Sequence, residues 1–223
     1  MWQELCSQQE SNVRNKFPAL KESTLLAELV GVILGDGGIT KDQLRISLDK
    51  DKDRDYACHV RNLCQEVLGA APSWYEYDTS NVITLCITGV SLVEELRKKG
   101  LKQGNKIVQD VSFPSWLWKK TNYFRACARG LFDTDGCLYF HRHKTGTLEY
   151  RHLGLCFTSL SEPLLESFSQ VLKSSEINHS KTKERIYIYS FDEIKRFLKD
   201  IGSNNAKHLR KYTYHLSKST RLS

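Results

Sequence analysis

The chain has 223 residues, 40 % hydrophobic and 26 % charged, with a formal net charge of +7 and a pI near 9.0. That length holds one large domain or two small ones, and the composition is that of a globular protein rather than a disordered or fibrous one. Several classes are excluded: no apolar run reaches membrane-spanning length, Met1–Glu10 is too polar for a signal-peptide core, and seven cysteines without a CxxC pair fit neither a zinc ribbon nor a disulfide framework.

The expected location is therefore inside a cell, in a reducing compartment, and the charge points to a polyanion, nucleic acid first. No acidic residue follows Asp200, whereas Lys207, Arg210, Lys211, Lys218 and Arg221 do. Such a basic end is either a solvated tail or an element that contacts phosphates.

In chain order, residues 1–22 form a polar leader. Leu25–Leu34 predicts an apolar helix, which Asp36-Gly37-Gly38 ends. Gln43–Asp49 alternates polar and apolar residues as a half-buried strand does. Arg54–Leu68 carries a helical stripe, Trp74–Tyr77 and Val82–Thr88 form a strand pair around a turn, and Leu92–Lys99 is a short helix. Lys106–Pro114 connects to a second series: helix Tyr123–Asp133, strands Cys137–His143 and Leu148–Thr158, helix Glu162–Lys173, strand Glu184–Tyr189 and helix Phe191–Asp200. A basic helix, Asn205–Leu216, closes the chain.

The second series repeats the first. Leu29–Gly37 reads LVGVILGDG and Ala128–Gly136 reads ARGLFDTDG, with Asp36 and Asp135 99 positions apart. Leu96–Lys106 (LRKKGLKQGNK) and Phe197–Lys207 (FLKDIGSNNAK) match again at an offset of 101. Each unit reads roughly αββαββα, which divides the chain into the leader, a first repeat over 23–112 and a second over 113–223.

Gly31 and Gly35 in the first motif helix, and Ala126 and Gly130 in the second, lie on one face four residues apart. Small residues at that spacing let two helix backbones approach closely, and helix propensity alone would not place glycine there. Packing of the two helices would bring Asp36 and Asp135 together. An aspartate is a poor choice at a helix C-terminus, already partly negative, yet both copies make it. A single Asp-Gly is ordinarily a turn; the same unfavourable choice made twice points to function. Two close carboxylates repel, and a divalent cation removes the penalty. Mg2+ suits carboxylates, water and backbone carbonyls, so the carbonyls of Gly35 and Thr134 are candidate extra ligands.

These motifs resemble the LAGLIDADG signature of a homing endonuclease family at its glycine, apolar and terminal Asp-Gly positions. The resemblance runs from about Leu25 to Leu216. It departs at the sixth position, Leu34 in one copy and Asp133 in the other. The resemblance implies an α+β fold of two pseudo-symmetric repeats, with a saddle of antiparallel sheets over double-stranded DNA. Two motifs in one chain imply a monomer on a long non-palindromic site, with Asp36 and Asp135 as metal ligands and catalytic acids.

Cleavage across the minor groove would leave short 3′ overhangs. The family implies Mg2+, with Mn2+ able to substitute and Ca2+ supporting binding only. It also implies peripheral basic groups, for which Lys106 and Lys207 are the candidates, with Lys50 and Ser159 weaker ones. For DNA contact the polar strand faces offer Lys41, Gln43, Arg45 and Ser47 in the first repeat. The second offers His141, His143, Glu149, Arg151, Arg185 and Tyr187, with Lys211 a phosphate contact. Other roles on the same fold are RNA maturase and non-cutting DNA-binding regulator. Without splicing-domain sequence on either side, the expected form is a free-standing, intron-encoded enzyme.

Overall fold

A computed structural model describes residues 16–104, 106, 108–145 and 148–219, with the backbone alone for 142–145, 148–151 and 219. At its centre lie the two motif helices, α1 (Thr24–Gly35) and α4 (Thr121–Asp135). Ser23 caps α1, its Oγ accepting the Leu26 N–H at 3.1 Å. The run from Leu26 to Leu34 is buried throughout, as expected of a helix apolar on every side. A short 3-10 turn, Ser115–Lys119, seats Trp116 and Leu117 in the core before α4 begins.

The α1–α4 seam is set by glycine. A Cβ on Gly31 would lie 2.0 Å from the Cys127 carbonyl oxygen, and one on Gly130 would lie 2.2 Å from that of Glu28. Gly31 and Gly130, picked out by their spacing, thus admit the partner backbone, and Ala126 is buried beside them.

Each repeat builds a four-stranded antiparallel sheet of the same order. The first consists of β1 (Gly37–Ile39), β2 (Gln43–Asp49), β3 (Ser73–Glu76) and β4 (Val82–Thr88), in the order β1-β2-β4-β3. The second consists of β5 (Gly136–Thr145), β6 (Leu148–Thr158), β7 (Ser180–Lys181) and β8 (Arg185–Ile188), in the order β5-β6-β8-β7. The register pairs Gly37 with Ile46 in one repeat and Gly136 with Phe157 in the other. Helices α2 (Arg54–Leu68) and α3 (Val90–Lys98) belong to the first repeat, and α5 (Glu162–Ser174) and α6 (Phe191–Asp200) to the second; α7 (Ala206–Ser219) closes the fold.

The alternation in β2 buries Leu44, Ile46 and Leu48 and leaves Arg45 and Ser47 exposed. In β8, Ile186 and Ile188 go inward while Arg185 is exposed. The buried faces meet the helices in one apolar core.

Several element ends shift by one to three residues, and some differences from the sequence reading matter for the site. The residues expected to end the first motif helix divide: Asp36 caps it and Gly37 opens β1. Helix α4 runs on to Asp135 rather than stopping at Asp133, and β7 occupies sequence read as loop. Strands of three and two residues are too short to show a period-two pattern, and they form because β2 and β8 present free edges. Part of the stretch read as a leader also docks: the Phe17 N–H bonds Ser91 Oγ at 3.0 Å, and the Leu20 N–H bonds Glu95 at 3.1 Å. Residues 1–15 lie outside the described residues. Among those described, the six cysteines are free thiols, and no helix is long and apolar enough to cross a membrane.

Candidate active site

The close seam carries both motif helices to a common end. A Cβ on Gly35 would meet Thr134 Oγ1 at 2.0 Å and Asp135 Oδ2 at 3.1 Å, so the first motif abuts the second at its acid. Asp36 and Asp135 are each half-buried. Burial pushes Asp36 up to about 6, with the nearby Asp53 charge adding to the rise. Burial and then the charge of Asp36 push Asp135 up to about 7. Lys106 and Lys207 pull both acids back down.

The two lysines predicted from matching positions do converge on the acids, but they are held differently. Lys106 donates to the carbonyls of Leu34 (3.0 Å), Ile33 (3.3 Å) and Gly35. It thereby caps the end of α1, where a cation is favoured. Burial lowers its pKa, and the acids Asp135 and Asp36 hold it up. Lys207 instead pairs with Asp53 at 2.9 Å. Beside Asp135 an open cleft is lined by Gly35, Lys106, Thr158 and Ser159.

Lys50 does not join this group: its ammonium faces Glu76 at 3.6 Å, and Glu76 also binds Arg54 at 2.6 Å. Ser159 Oγ accepts the Ser161 N–H at 3.1 Å, a local turn at the cleft wall. Thr134 bonds back to its own helix, its hydroxyl donating to the Leu131 carbonyl at 2.8 Å. The Gly35 carbonyl, read as a metal ligand, accepts from Lys106.

On the sheet faces, Arg45 Nε donates to Gln43 Oε1 at 3.0 Å, and Lys41 and Ser47 are exposed beside them. Arg185 donates to the Tyr187 hydroxyl at 3.2 Å, and Tyr187 stacks on Tyr189 with ring centroids 5.5 Å apart. His141 is exposed. Lys211 donates to the Leu138 carbonyl at 2.8 Å. The side chains of His143, Glu149 and Arg151 lie outside the described residues.

Sequence reasoning passed over a buried polar network behind the acids. Asp133 is fully buried; it accepts the Asn204 N–H at 2.7 Å and the Ser203 hydroxyl, with His208 Nδ1 at 3.5 Å. The acid at the sixth motif position therefore anchors the turn into α7. Glu28, 2 % exposed, binds His59 (2.8 Å), Asn204 (2.6 Å) and Arg129. Burial would raise its pKa, but these partners hold it down to about 2. Asn205 bridges the repeats, its amide donating to Asp53 at 2.7 Å and to the Asp133 carbonyl at 3.0 Å. Asp53 sits in the run DKDKDRD, which in sequence looks like a solvated charged loop.

The donor set fits a hard divalent cation. Two desolvated, mutually repelling carboxylates are stabilised by a cation between them. Among the described residues no group of three or more His, Cys, Asp or Glu could hold a metal. Water and substrate oxygens would therefore complete the shell, as Mg2+ prefers.

Residues 123–202 match the family model of a LAGLIDADG-like domain. Reverse gyrase of Methanocaldococcus jannaschii is 26 % identical over 195 residues, which are 87 % of this chain but 11 % of that protein. The chain thus spans about a tenth of the length of this curated relative.

Among solved structures, I-SmaMI bound to uncleaved DNA target in the presence of calcium ions superposes with a TM-score of 0.58 at 10 % identity, covering 91 % of this chain and 94 % of that one. The I-LtrWI LAGLIDADG homing endonuclease bound to target DNA gives 0.55 at 11 %, covering 86 % and 89 %. Full-length DUF199/WhiA from Thermatoga maritima also gives 0.55, at 18 %, covering 88 % and 60 %. With its two sheets of equal topology and its paired motif helices, this chain has the fold seen in the two LAGLIDADG repeats of these structures, and its second repeat matches the family model.

Proposed function

We propose that the chain is a sequence-specific DNA endonuclease that uses a divalent metal to cut both strands of a long, non-palindromic site as a monomer. The observation that carries this reading is the pair Asp36 and Asp135, desolvated side by side at the ends of repeat-related helices and flanked by Lys106 and Lys207. A fold kept for stability alone has no use for two repelling carboxylates at negative helix ends. I-SmaMI and I-LtrWI, similar in fold, were each solved with their DNA.

Asp36 and Asp135 would hold the metal, Mg2+ by the chemistry of the donors. Such an ion supplies an activated water and charge stabilisation at the scissile phosphate. The lysines pull both acids down toward the ionised form that a metal needs and place positive charge where the phosphate becomes more negative. Because the acids are neighbours, the two scissile phosphates face each other across the minor groove, which favours short 3′ overhangs. The seven residues of β2 span ~23 Å at ~3.3 Å per residue, about seven base pairs. Two such strands end to end cover about 14 base pairs.

A role in binding without cutting is the competing reading on this fold, and the retained acids weigh against it. The test is selection of cleaved sequences from a randomised duplex library with Mg2+. Asp36→Asn and Asp135→Asn should each abolish double-strand cutting of the selected site while binding it in Ca2+. Full cutting by either variant would remove that acid from the mechanism.

A further inference from the structure

The duplication offers a comparison between two topologically equal centres, and they are not alike. Lys106 directs its ammonium protons to three carbonyls at the end of α1. Lys207, at the matching place, is held by a carboxylate: Asp53, itself 6 % exposed, at 2.9 Å. The residue before α5 that corresponds to Asp53 is Ser161, uncharged, whose hydroxyl donates to the Val111 carbonyl at 2.8 Å.

The tether also crosses the molecule. Asp53 belongs to the first repeat and Lys207 to the start of α7, 154 positions later. Asn205 completes it, donating to Asp53 at 2.7 Å and to the Asp133 carbonyl at the end of α4 at 3.0 Å. A lysine is a compact charge on a flexible four-carbon stem. Untethered, Lys207 would sample many rotamers; tied to Asp53 it is only 20 % exposed, and both Asp36 and Asp135 feel its charge.

We infer that Asp53 is a positioning residue that fixes Lys207 beside the paired aspartates, giving one of the two strand-cutting centres a tethered lysine that the other lacks. The inference rests on the nuclease reading, and it deepens it: the two strands are cut by non-equivalent machinery. Removing Asp53 should therefore change the ratio of the two strand-cleavage rates, not only their sum. A shift of about 1 Å in a positioned group costs up to about 100-fold in rate, so the ratio should move by about tenfold or more.

Two measurements on the full chain decide it, comparing wild type, Asp53→Asn and Asp53→Ser, the last placing there the residue of the second repeat. The first needs no DNA. Trace acetylation with acetic anhydride at one fixed pH, read by mass spectrometry, should label Lys207 about threefold faster or more in both variants and Lys106 at the wild-type rate. Unchanged Lys207 labelling overturns the tether.

The second is single-turnover cleavage of the selected site with each strand labelled separately. A shifted ratio supports the inference; equal slowing of both strands, or no change, overturns it. Should the variants melt early, a Lys207→Met background decides: Asp53→Asn added to it should leave the ratio where Lys207→Met alone put it, and a further shift overturns action through Lys207. If wild type cuts no library member, the nuclease reading fails, and the acetylation result still decides whether Asp53 holds Lys207.

Discussion

Gly31→Ala is the sharpest test of the helix seam, because two principles predict opposite signs. Helix propensity favours alanine over glycine by ~1 kcal/mol. Packing opposes it: the new methyl would sit 2.0 Å from the Cys127 carbonyl oxygen and 2.8 Å from the Leu131 nitrogen, both backbone atoms that cannot rotate away. An ordinary carbon–oxygen contact is about 3.3–3.6 Å, so the helices must separate by more than about 1 Å. A gap of that size forfeits a quarter to a half of the dispersion energy along the seam, which includes the second close approach, Gly130 on the Glu28 carbonyl.

Overpacking a core typically costs about 1–3 kcal/mol, more where backbone must move. We expect a loss of about 3–5 kcal/mol, offset by ~1 from propensity, hence net destabilisation of about 2–4 kcal/mol. For a chain of this length that lowers Tm by roughly 4–16 °C. Urea titration and calorimetry measure it directly. Gly38→Ala is the control: a Cβ there meets nothing within 4 Å, and stability should stay within about 0.5 kcal/mol. If Gly31→Ala were as stable as wild type, or more so, the seam as described would be refuted.

Two further outcomes follow from the site. Asp36 and Asp135 lie at about 6 and about 7 against an ordinary 3.8, so the folded protein holds protons that the unfolded chain has released. Their contribution is full below pH ~4 and is lost as pH rises to about 7. Without metal, Asp36→Asn/Asp135→Asn should melt above wild type at about pH 8, with the gap closing near pH 4; Mg2+ should raise the Tm of wild type only. Parallel pH profiles for the two proteins would refute the paired-acid electrostatics. On the sheet faces, Arg45→Ala and Arg185→Ala should each cost about 1–3 kcal/mol of binding where the arginine reads a guanine. Each should relax preference in a different half-site, measured by binding to all single-base variants; changes in the same half-site would refute the placement of the two sheets.

What could be read from the sequence is what has a local signature. Strand β2 declares itself because every second residue is apolar, and α2 because its stripe recurs at helical spacing. The motif acids stand out only because the pattern occurs twice. Asp53 and Asn205 are 152 positions apart and meet only once both repeats have folded; in sequence one is a charge among charges and the other a turn residue. Glu28 is a polar residue in an apolar helix, which could have been noticed as a buried charge in need of a partner. Its partner Arg129 comes from the other repeat, 101 positions away. Lys50, a weaker candidate at the end of its strand, carries the same charge as Lys106 and Lys207, and nothing local reveals that Glu76 faces it.

The Glu28–Arg129 contact gives the seam a polarity. At the corresponding places the other repeat has Cys127 where the first has Glu28, and the first has Val30 where the second has Arg129. Two first-repeat helices packed on each other would bury two glutamates that keep His59 but lack the arginine, and two second-repeat helices would set two half-buried arginines together without a glutamate. Removing one partner of a buried ion pair costs up to about 3–5 kcal/mol. The two halves, alike enough in sequence to betray a common origin, now pack better on each other than on their own kind. Expressed as separate polypeptides they would select each other, so the molecule carries within its core a rule for heterotypic pairing that its outward symmetry conceals.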